Sequence, residues 1–297
     1  MNQANKTVHL LLGPTAAGKT ALAVGWARAL NTSIISADSR QCFRELNIGV
    51  AKPSSKELQL VHHDFINSHS INERVHAGAF EQLALDWTTK IFERHDSLIM
   101  VGGTGLYIKA FCEGLDEMPA VTPAIRKEIH QTYGAEGIGW LKEQVRLQDP
   151  AFYEIGEIHN PQRLMRALEV KLSTGRSVLS FRTGVSKQRS FTIQKTGLLL
   201  DKDALHSNIN TRVDLMMEKG LLEEVRALLP NRQLNALQTV GYTELFDFLD
   251  GNISLDEAVA LIKKNTRQYA KRQMTWFKKD PSIQWMSPAA MEKIIKS

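Results

Sequence analysis

The sequence predicts an α/β protein: a parallel sheet headed by a phosphate-binding loop, interrupted by a helical insertion and finished by C-terminal helices. Three observations carry that expectation. First, Gly13-Pro14-Thr15-Ala16-Ala17-Gly18-Lys19-Thr20 fills every obligatory position of G-x-x-x-x-G-K-[ST], set between an apolar run and a helical run. Second, short apolar runs alternate with amphipathic segments through the first third of the chain, as in βαβ units. Third, that rhythm stops from Pro119 to about Gln188, where helical periodicity punctuated by Pro123, Pro150 and Pro161 takes over.

With 297 residues and 43% hydrophobic content, the chain can bury a large core and divide into one big domain and a smaller one. The expected division is a core of residues 1–118 and 190–297 and a helical insertion of residues 119–189. A net charge of +5 hints at a polyanionic partner. No apolar run is long enough to span a bilayer, which points to a cytoplasmic protein without a membrane partner. Cys42 and Cys112 lack C-x-x-C spacing, so neither a disulfide framework nor a structural zinc site is expected.

In chain order, Thr7 to Leu12 reads as a buried strand and Thr20 to Leu30 as a helix whose N-terminus faces an anion. Between them, the glycines let backbone N–H groups turn inward as a nest, Lys19 adds a point charge and the Thr20 hydroxyl can hold Mg²⁺. The core is therefore P-loop NTPase-like, and a diphosphate or triphosphate is the expected guest. Thr32 to Ser36 forms the next strand, ending at Asp38-Ser39-Arg40-Gln41. Carboxyl ends of parallel strands line the ligand crevice, so Asp38 is either a base or metal partner at the site or the cap of the following turn.

Asn47 to Pro53 is a loop carrying one lysine, and His62 to Ile66 a short extended segment. Its adjacent histidines point to opposite faces and do not chelate one ion. From Glu73 to Arg94, Val75, Phe80, Leu83, Leu85, Trp87, Ile91 and Phe92 support a long helix on the sheet. Ser97 to Val101 is a further strand, running into Gly102-Gly103-Thr104-Gly105. A motor-type nucleotide hydrolase carries the Mg²⁺-holding Asp of a Walker B motif at such a strand end, and its absence argues against that class. Thr104 offers a hydroxyl at the crevice, or simply belongs to a tight strand-to-helix turn.

Within the insertion, Asn160 and Pro161 open a helix that sets Arg163 and Arg166 on one face, either to grip phosphates or to be solvated. Gly184 to Ser190, with Lys187 and Arg189, reads as a mobile basic loop. Strand character returns at Thr192 to Leu200, and helices follow from Asp201 to Leu229. Arg212 there either reaches back to the phosphate site or pairs with Asp214 or Glu218. After a turn at Gln238 to Tyr242, Asp256 to Phe277 forms a long amphipathic helix. Lys263, Lys264, Arg267, Lys271 and Lys278 fall in one arc with no carboxylate among them; Ile262, Tyr269, Trp276 and Phe277 fall in another. The basic arc suits nucleic-acid backbone, or a solvated face.

Taken together, Gly13 to Thr20, Asp38-Ser39-x-Gln41, Ile48-Gly49-x-Ala51-Lys52-Pro53, Gly102 to Tyr107, Pro161-Gln162-Arg163-x-x-Arg166, Val240-Gly241-Tyr242 and Arg267-Gln268-x-Ala270-Lys271-Arg272-Gln273-x-Thr275-Trp276 resemble the tRNA dimethylallyltransferases over nearly the whole chain. The resemblance implies transfer of a dimethylallyl group from dimethylallyl diphosphate to N6 of adenosine 37, beside the tRNA anticodon. It implies that Thr15 to Thr20 hold the diphosphate with Mg²⁺, that Asp38 takes a hydrogen bond or proton from the adenine amine, and that Arg212 neutralises the departing diphosphate. The target base is expected to flip into a channel lined by Thr104. Contacts to tRNA are implied for Asp38, Ser39, Arg40 and Gln41, for Arg126, Gln162, Arg163, Leu164, Met165 and Arg166 of the insertion, and for Gln238, Thr239, Val240, Gly241, Tyr242 and Thr243. Arg267, Lys271 and Arg272 extend that surface.

Ala17, Phe43 and Val50 depart from residues common in relatives, and the lack of a Cys/His cluster after Trp285 matches the short bacterial form, expected to be monomeric. Two other classes share parts of the pattern. A small-molecule or nucleoside kinase would use the insertion as a lid, and a nucleic-acid-binding NTPase switch would turn over ATP or GTP.

Overall fold

The computed structural model describes residues 6–296, which divide into two compact units, one running to Glu113 and resuming at Gln188, the other spanning Gly114–Lys187. The first half of the larger unit comprises β1 (Thr7–Leu12), α1 (Lys19–Ala29), β2 (Ile34–Ala37), α2 (Ser55–Leu60), β3 (His63–Asp64), α3 (Ala77–Phe92), β4 (Ser97–Gly102) and α4 (Gly105–Glu113). The smaller unit holds α5 (Pro123–Gln148), α6 (Pro150–Ile155) and α7 (Pro161–Thr174). The larger unit then continues through β5 (Thr192–Leu198), α8 (Lys202–Glu218), α9 (Leu221–Leu228), α10 (Tyr242–Leu249), α11 (Leu255–Phe277), β6 (Gln284–Met286) and α12 (Pro288–Lys296). Among the described residues no helix is long and apolar enough to cross a membrane.

All six strands are parallel, in the order β3-β2-β4-β1-β5-β6. Covered on both faces, such strands are apolar throughout rather than alternating. Val8, Leu10, Leu11 and Leu12 of β1 and Leu98, Ile99 and Met100 of β4 are accordingly buried. Ala23, Val24 and Ala27 let α1 lie close on one face. On another part of the core Phe80 stacks on Tyr107 with centroids 4.6 Å apart and meets Phe65 edge-on at 5.0 Å.

Register decides where the site falls. Leu12 at the end of β1 pairs with Gly102 on one side and Gly197 on the other, and Ala37 at the end of β2 also pairs with Gly102. Four carboxyl ends therefore finish level, and the phosphate loop, Asp38 and Thr104 leave the sheet along one edge. Gly102 is required there: a Cβ at that position would collide with the Ala37 carbonyl of the neighbouring strand.

Two elements are shorter than their periodicity suggests. The helix expected from Glu73 begins at Ala77, because His76 caps it through Nδ1 and the Glu73 carboxylate is drawn into a turn by the Ser70 N–H. Strand β3 spans only two residues; the His63 Nδ1 bonds the Val61 carbonyl and His62 reaches Asp64, so the two rings diverge.

The smaller unit packs Ile129, Leu141, Val145, Phe152, Leu164, Leu168 and Val170 into its own core. Gly137, at φ +76°, breaks α5 into two helical segments. Asn160 caps α7 by accepting from the N–H groups of Gln162 and Arg163, and Pro161 follows at the first helical position. Glu169 is buried, and its carboxylate is met by Arg126 at 3.2 Å, His130 at 3.4 Å and Arg166 at 3.5 Å.

Two alanine substitutions separate backbone crowding from helix propensity. Gly102→Ala is expected to cost roughly 3 kcal/mol or more of stability, because strand and carbonyl must both shift. Gly134→Ala in α5 meets nothing within 4 Å and is expected to stabilise by about 0.5–1 kcal/mol. Urea denaturation of the two variants beside the parent measures both signs.

Candidate active site

The phosphate loop is braced from outside by three side chains. Gln273 of α11 accepts from the Thr15 N–H at 2.9 Å and donates to the Gly103 carbonyl at 2.9 Å, tying the loop to the end of β4. Asn208 of α8 donates to the Ala16 carbonyl at 3.2 Å, and Arg212 of the same helix donates to Thr15 Oγ1 at 3.2 Å. Ala16 sits at φ +64°, a left-handed conformation that costs an alanine about 1 kcal/mol or more. The bond from Asn208 helps to hold it there. Gly18 occupies the cap of α1 at φ +80°, with no side-chain cap on the helix's first N–H groups.

Lys19 curls back along the loop, donating to the carbonyls of Gly13 at 3.0 Å and Pro14 at 2.7 Å. Burial first, and then the Arg212 charge, pull its ammonium down to about 8, with Asp38 acting in the opposite direction. Burial also lowers Arg212, although a guanidinium stays charged. The Arg212 alternatives are thus resolved: it reaches the loop, while Lys263 takes Asp214 at 2.6 Å. That pair also corrects the picture of a carboxylate-free basic arc on α11, since the carboxylate comes from α8. Arg267 in the same arc donates to Asn210 at 2.8 Å.

Asp38 caps the turn that follows β2 and also lines the cavity beside the loop. Its Oδ1 accepts from the N–H groups of Arg40 at 2.9 Å and Gln41 at 3.3 Å, closing the turn after β2. Its Oδ2 has no hydrogen-bond partner among the described residues and is the oxygen left for a ligand. Thr104 lies beside it, accepting from the Ser39 N–H at 3.0 Å. Tyr269 of α11 closes this corner, its phenol pushed up to about 12 by burial and by the Asp38 charge.

Two adjoining cavities meet here. One, of about 90 Å³, is lined by Thr15 to Thr20, Asp38, Gln41, Val50, Ala51, Gly102, Gly103, Arg212, Tyr269 and Gln273. The other, of about 570 Å³, opens from Thr15, Asp38 and Arg212 past Ser39 and Arg40 to Gln238, Thr239, Val240, Gly241 and Thr243, with Arg272 at its side. The glycine-rich loop, two half-buried cations and a carboxylate therefore line one volume. Such a site can hold a phosphate-type leaving group and take a proton from a nucleophile on the opposite side.

Other expected site residues lie elsewhere. Tyr242 is fully buried, and Lys271 is exposed on α11 without lining either cavity. In the smaller unit, Gln162 is exposed, Arg163 pairs with Glu157 at 2.8 Å, and Arg126 and Arg166 converge on Glu169. Leu164 and Met165 are buried in that unit's core, so their side chains serve packing, not an RNA surface. Sequence reasoning passed over Gln273, Asn208 and Tyr269 as site residues. Gln273 and Tyr269 are one helical turn apart on α11, and Tyr269 was grouped with the packing arc by its apolar ring; their partners are more than a hundred residues away.

Comparison with known proteins agrees with this geometry. A family model described as IPP transferase matches residues 41–280. The chain is 47% identical to the tRNA dimethylallyltransferase of Christiangramia forsetii, over 93% of this chain and 91% of that protein. It is 42% identical to the tRNA dimethylallyltransferase of Cytophaga hutchinsonii, over 99% and 97% respectively. The crystal structure of the tRNA isopentenylpyrophosphate transferase of Bacillus halodurans superposes with a TM-score of 0.71 at 33% identity, covering 98% of this chain and 95% of that one. Matched by that family model over residues 41–280 and by these relatives over nearly its full length, the chain belongs to the IPP transferase family.

Proposed function

We propose that the protein transfers a dimethylallyl group from dimethylallyl diphosphate to N6 of adenosine 37 in tRNA, releasing diphosphate. The observation that carries this reading is the sharing of Thr15, Asp38, Arg212 and Tyr269 between the loop-side cavity and the larger one. The donor diphosphate would sit on the loop amides with Lys19 and Arg212, and the adenine would enter from the side of the Gln238 to Thr243 turn. The names borne by the relatives support both donor and acceptor. Gly102 in place of a Walker B carboxylate supports group transfer over nucleotide hydrolysis.

In the transfer, the C1–O bond to diphosphate breaks as the N6–C1 bond forms, and the amine proton passes to Asp38. An exocyclic adenine amine is a weak nucleophile, so both proton acceptance and stabilisation of the leaving oxygen are needed. Arg212, bonded to Thr15, would meet that oxygen. Thr104 orients the turn that carries Asp38 by accepting from Ser39.

Thr20, in the first turn of α1 and lining the smaller cavity, fits Mg²⁺ held jointly with diphosphate oxygens. Among the described residues no cluster of three or more His, Cys, Asp or Glu side chains offers an all-protein metal site. The bound ion would supply neutralising charge to the leaving group. For tRNA, we assign the backbone to Arg272, Lys271 and Arg267 and to the exposed face of α7 at Gln162, Arg163 and Arg166, with Arg126 beside it.

Purified protein, Mg²⁺, dimethylallyl diphosphate and unmodified tRNA should yield a dimethylallyl mass increment on adenosine. ATP consumption with a small hydroxyl acceptor and no such increment would point to a kinase instead. Asp38→Asn is expected to retain tRNA affinity while kcat falls about 10²–10⁴-fold, measured by single-turnover transfer; unchanged turnover would remove Asp38 from the proton step.

The pH dependence of donor binding follows from Lys19. Its pKa lies below the ordinary lysine value, at about 8, so the ammonium is complete below that pH and is lost as pH rises through it. Bound diphosphate favours the charged form. Donor affinity is therefore expected to fall above about pH 8, by up to roughly tenfold per unit. Equilibrium titration of the donor between pH 7 and 10 checks it, and a Lys19→Met variant should lose the dependence.

A further inference from the structure

Glu224 of α9 lines neither cavity, yet its carboxylate collects four hydrogen bonds. The backbone N–H groups of Asn47, Ile48 and Gly49 donate to it at 3.2, 2.8 and 3.1 Å, and the Tyr242 hydroxyl donates at 2.6 Å. Three successive amides converging on one anion form a nest of the kind usually offered to a ligand. Here the chain's own side chain fills it. Tyr242 seals the arrangement: it is fully buried, and a Cβ on Gly49 would come within 2.6 Å of its ring.

What this clasp holds is the next stretch of chain. Ala51 sits at φ +48°, a left-handed conformation that surroundings must impose on an alanine. The Val50 and Ala51 carbonyls accept from Gln41 Nε2 at 3.2 and 3.0 Å, and the Gln41 N–H donates to Asp38 Oδ1. Val50 and Ala51 line both cavities, at the junction where the allylic chain and the acceptor amine must meet. A continuous set of bonds thus runs from Tyr242 through Glu224 and the loop to the carboxylate that faces the reaction.

We propose that Glu224 is a positioning residue that sets donor length: by clasping residues 47–49 it fixes the Val50–Ala51 wall of the smaller cavity, admitting a short allylic chain and refusing a longer one. This rests on the transferase reading above. Val50 and Ala51 line both the volume of about 90 Å³ beside the loop and the larger cavity, so displacing that wall widens the space beside the loop. A carboxylate suits the clasp because it only accepts, whereas an amide would turn an N–H toward backbone N–H groups.

The test compares Glu224→Gln and Tyr242→Phe with the parent, using unmodified tRNA and either dimethylallyl or geranyl diphosphate, with melting temperatures recorded alongside. In Glu224→Gln, KM for dimethylallyl diphosphate should rise about tenfold, and the kcat/KM preference for five over ten carbons should narrow about tenfold or more. Displacement of a reacting group by about an ångström supports losses up to about a hundredfold. Tyr242→Phe, which keeps three of the four bonds, should move both quantities in the same direction by less, and it carries the test if the glutamine variant does not fold. A lowered melting temperature with KM and the chain-length preference unchanged would overturn the proposal, leaving Glu224 a stabilising residue. A parent protein that transfers neither group would overturn the transferase reading instead, so the two failures are distinguishable.

Discussion

A glycine-rich loop keeps one shape only when its backbone is held, and in this protein much of that bracing comes from outside the loop. Within Gly13 to Thr20, Lys19 bonds the Gly13 and Pro14 carbonyls, and Ala16 sits in a conformation an alanine avoids. Gln273 on the Thr15 N–H, Asn208 on the Ala16 carbonyl and Arg212 on the Thr15 hydroxyl hold it in place. Two of these come from α8 and one from α11, so the C-terminal helices complete the phosphate site that the first strand begins. Part-buried polar bonds of this kind are costly to leave unmade, which makes the loop's geometry depend on the packing of helices far along the chain.

The close approach of β2 to β4 sets the chemistry available. With Gly102 against the Ala37 carbonyl, β4 has no room at its end for the carboxylate that nucleotide hydrolases place there. The acidic group sits instead at the end of β2, where Asp38 spends one oxygen on closing its own turn and keeps the other for the cavity. The same residue thus closes a turn and lines the cavity. Arg212 and Lys19 stand across from it, so charges of opposite sign are separated by the space that a donor and an amine would share.

Several arginines and lysines that a sequence would mark as RNA contacts already have carboxylate partners within the protein: Glu169 gathers Arg126 and Arg166, and Asp214 takes Lys263. Buried Glu169 needs its cations to be stable at all. A guanidinium in such a pair keeps donors to spare, so it can be held in one orientation and still meet a phosphate.

Local signals in the chain were enough for the α/β core, the phosphate loop, the strand ends and the capped start of α7, since each rests on residues within a few positions of one another. The loop motif is legible because its glycines and lysine are close neighbours in the chain, and Asn160 with Pro161 marks a helix start for the same reason. That Asp38 caps its turn while lining the cavity, and that Arg212 meets the loop, depend on distances across the sheet and are decided only by packing. The braces at Gln273 and Asn208, the clasp at Glu224 and the burial of Tyr242 leave no periodic or spacing signature. Residue types and neighbours along the chain determine what a segment can do; which partner a polar side chain meets is decided by the tertiary fold, because those partners are brought together by strand register and helix docking.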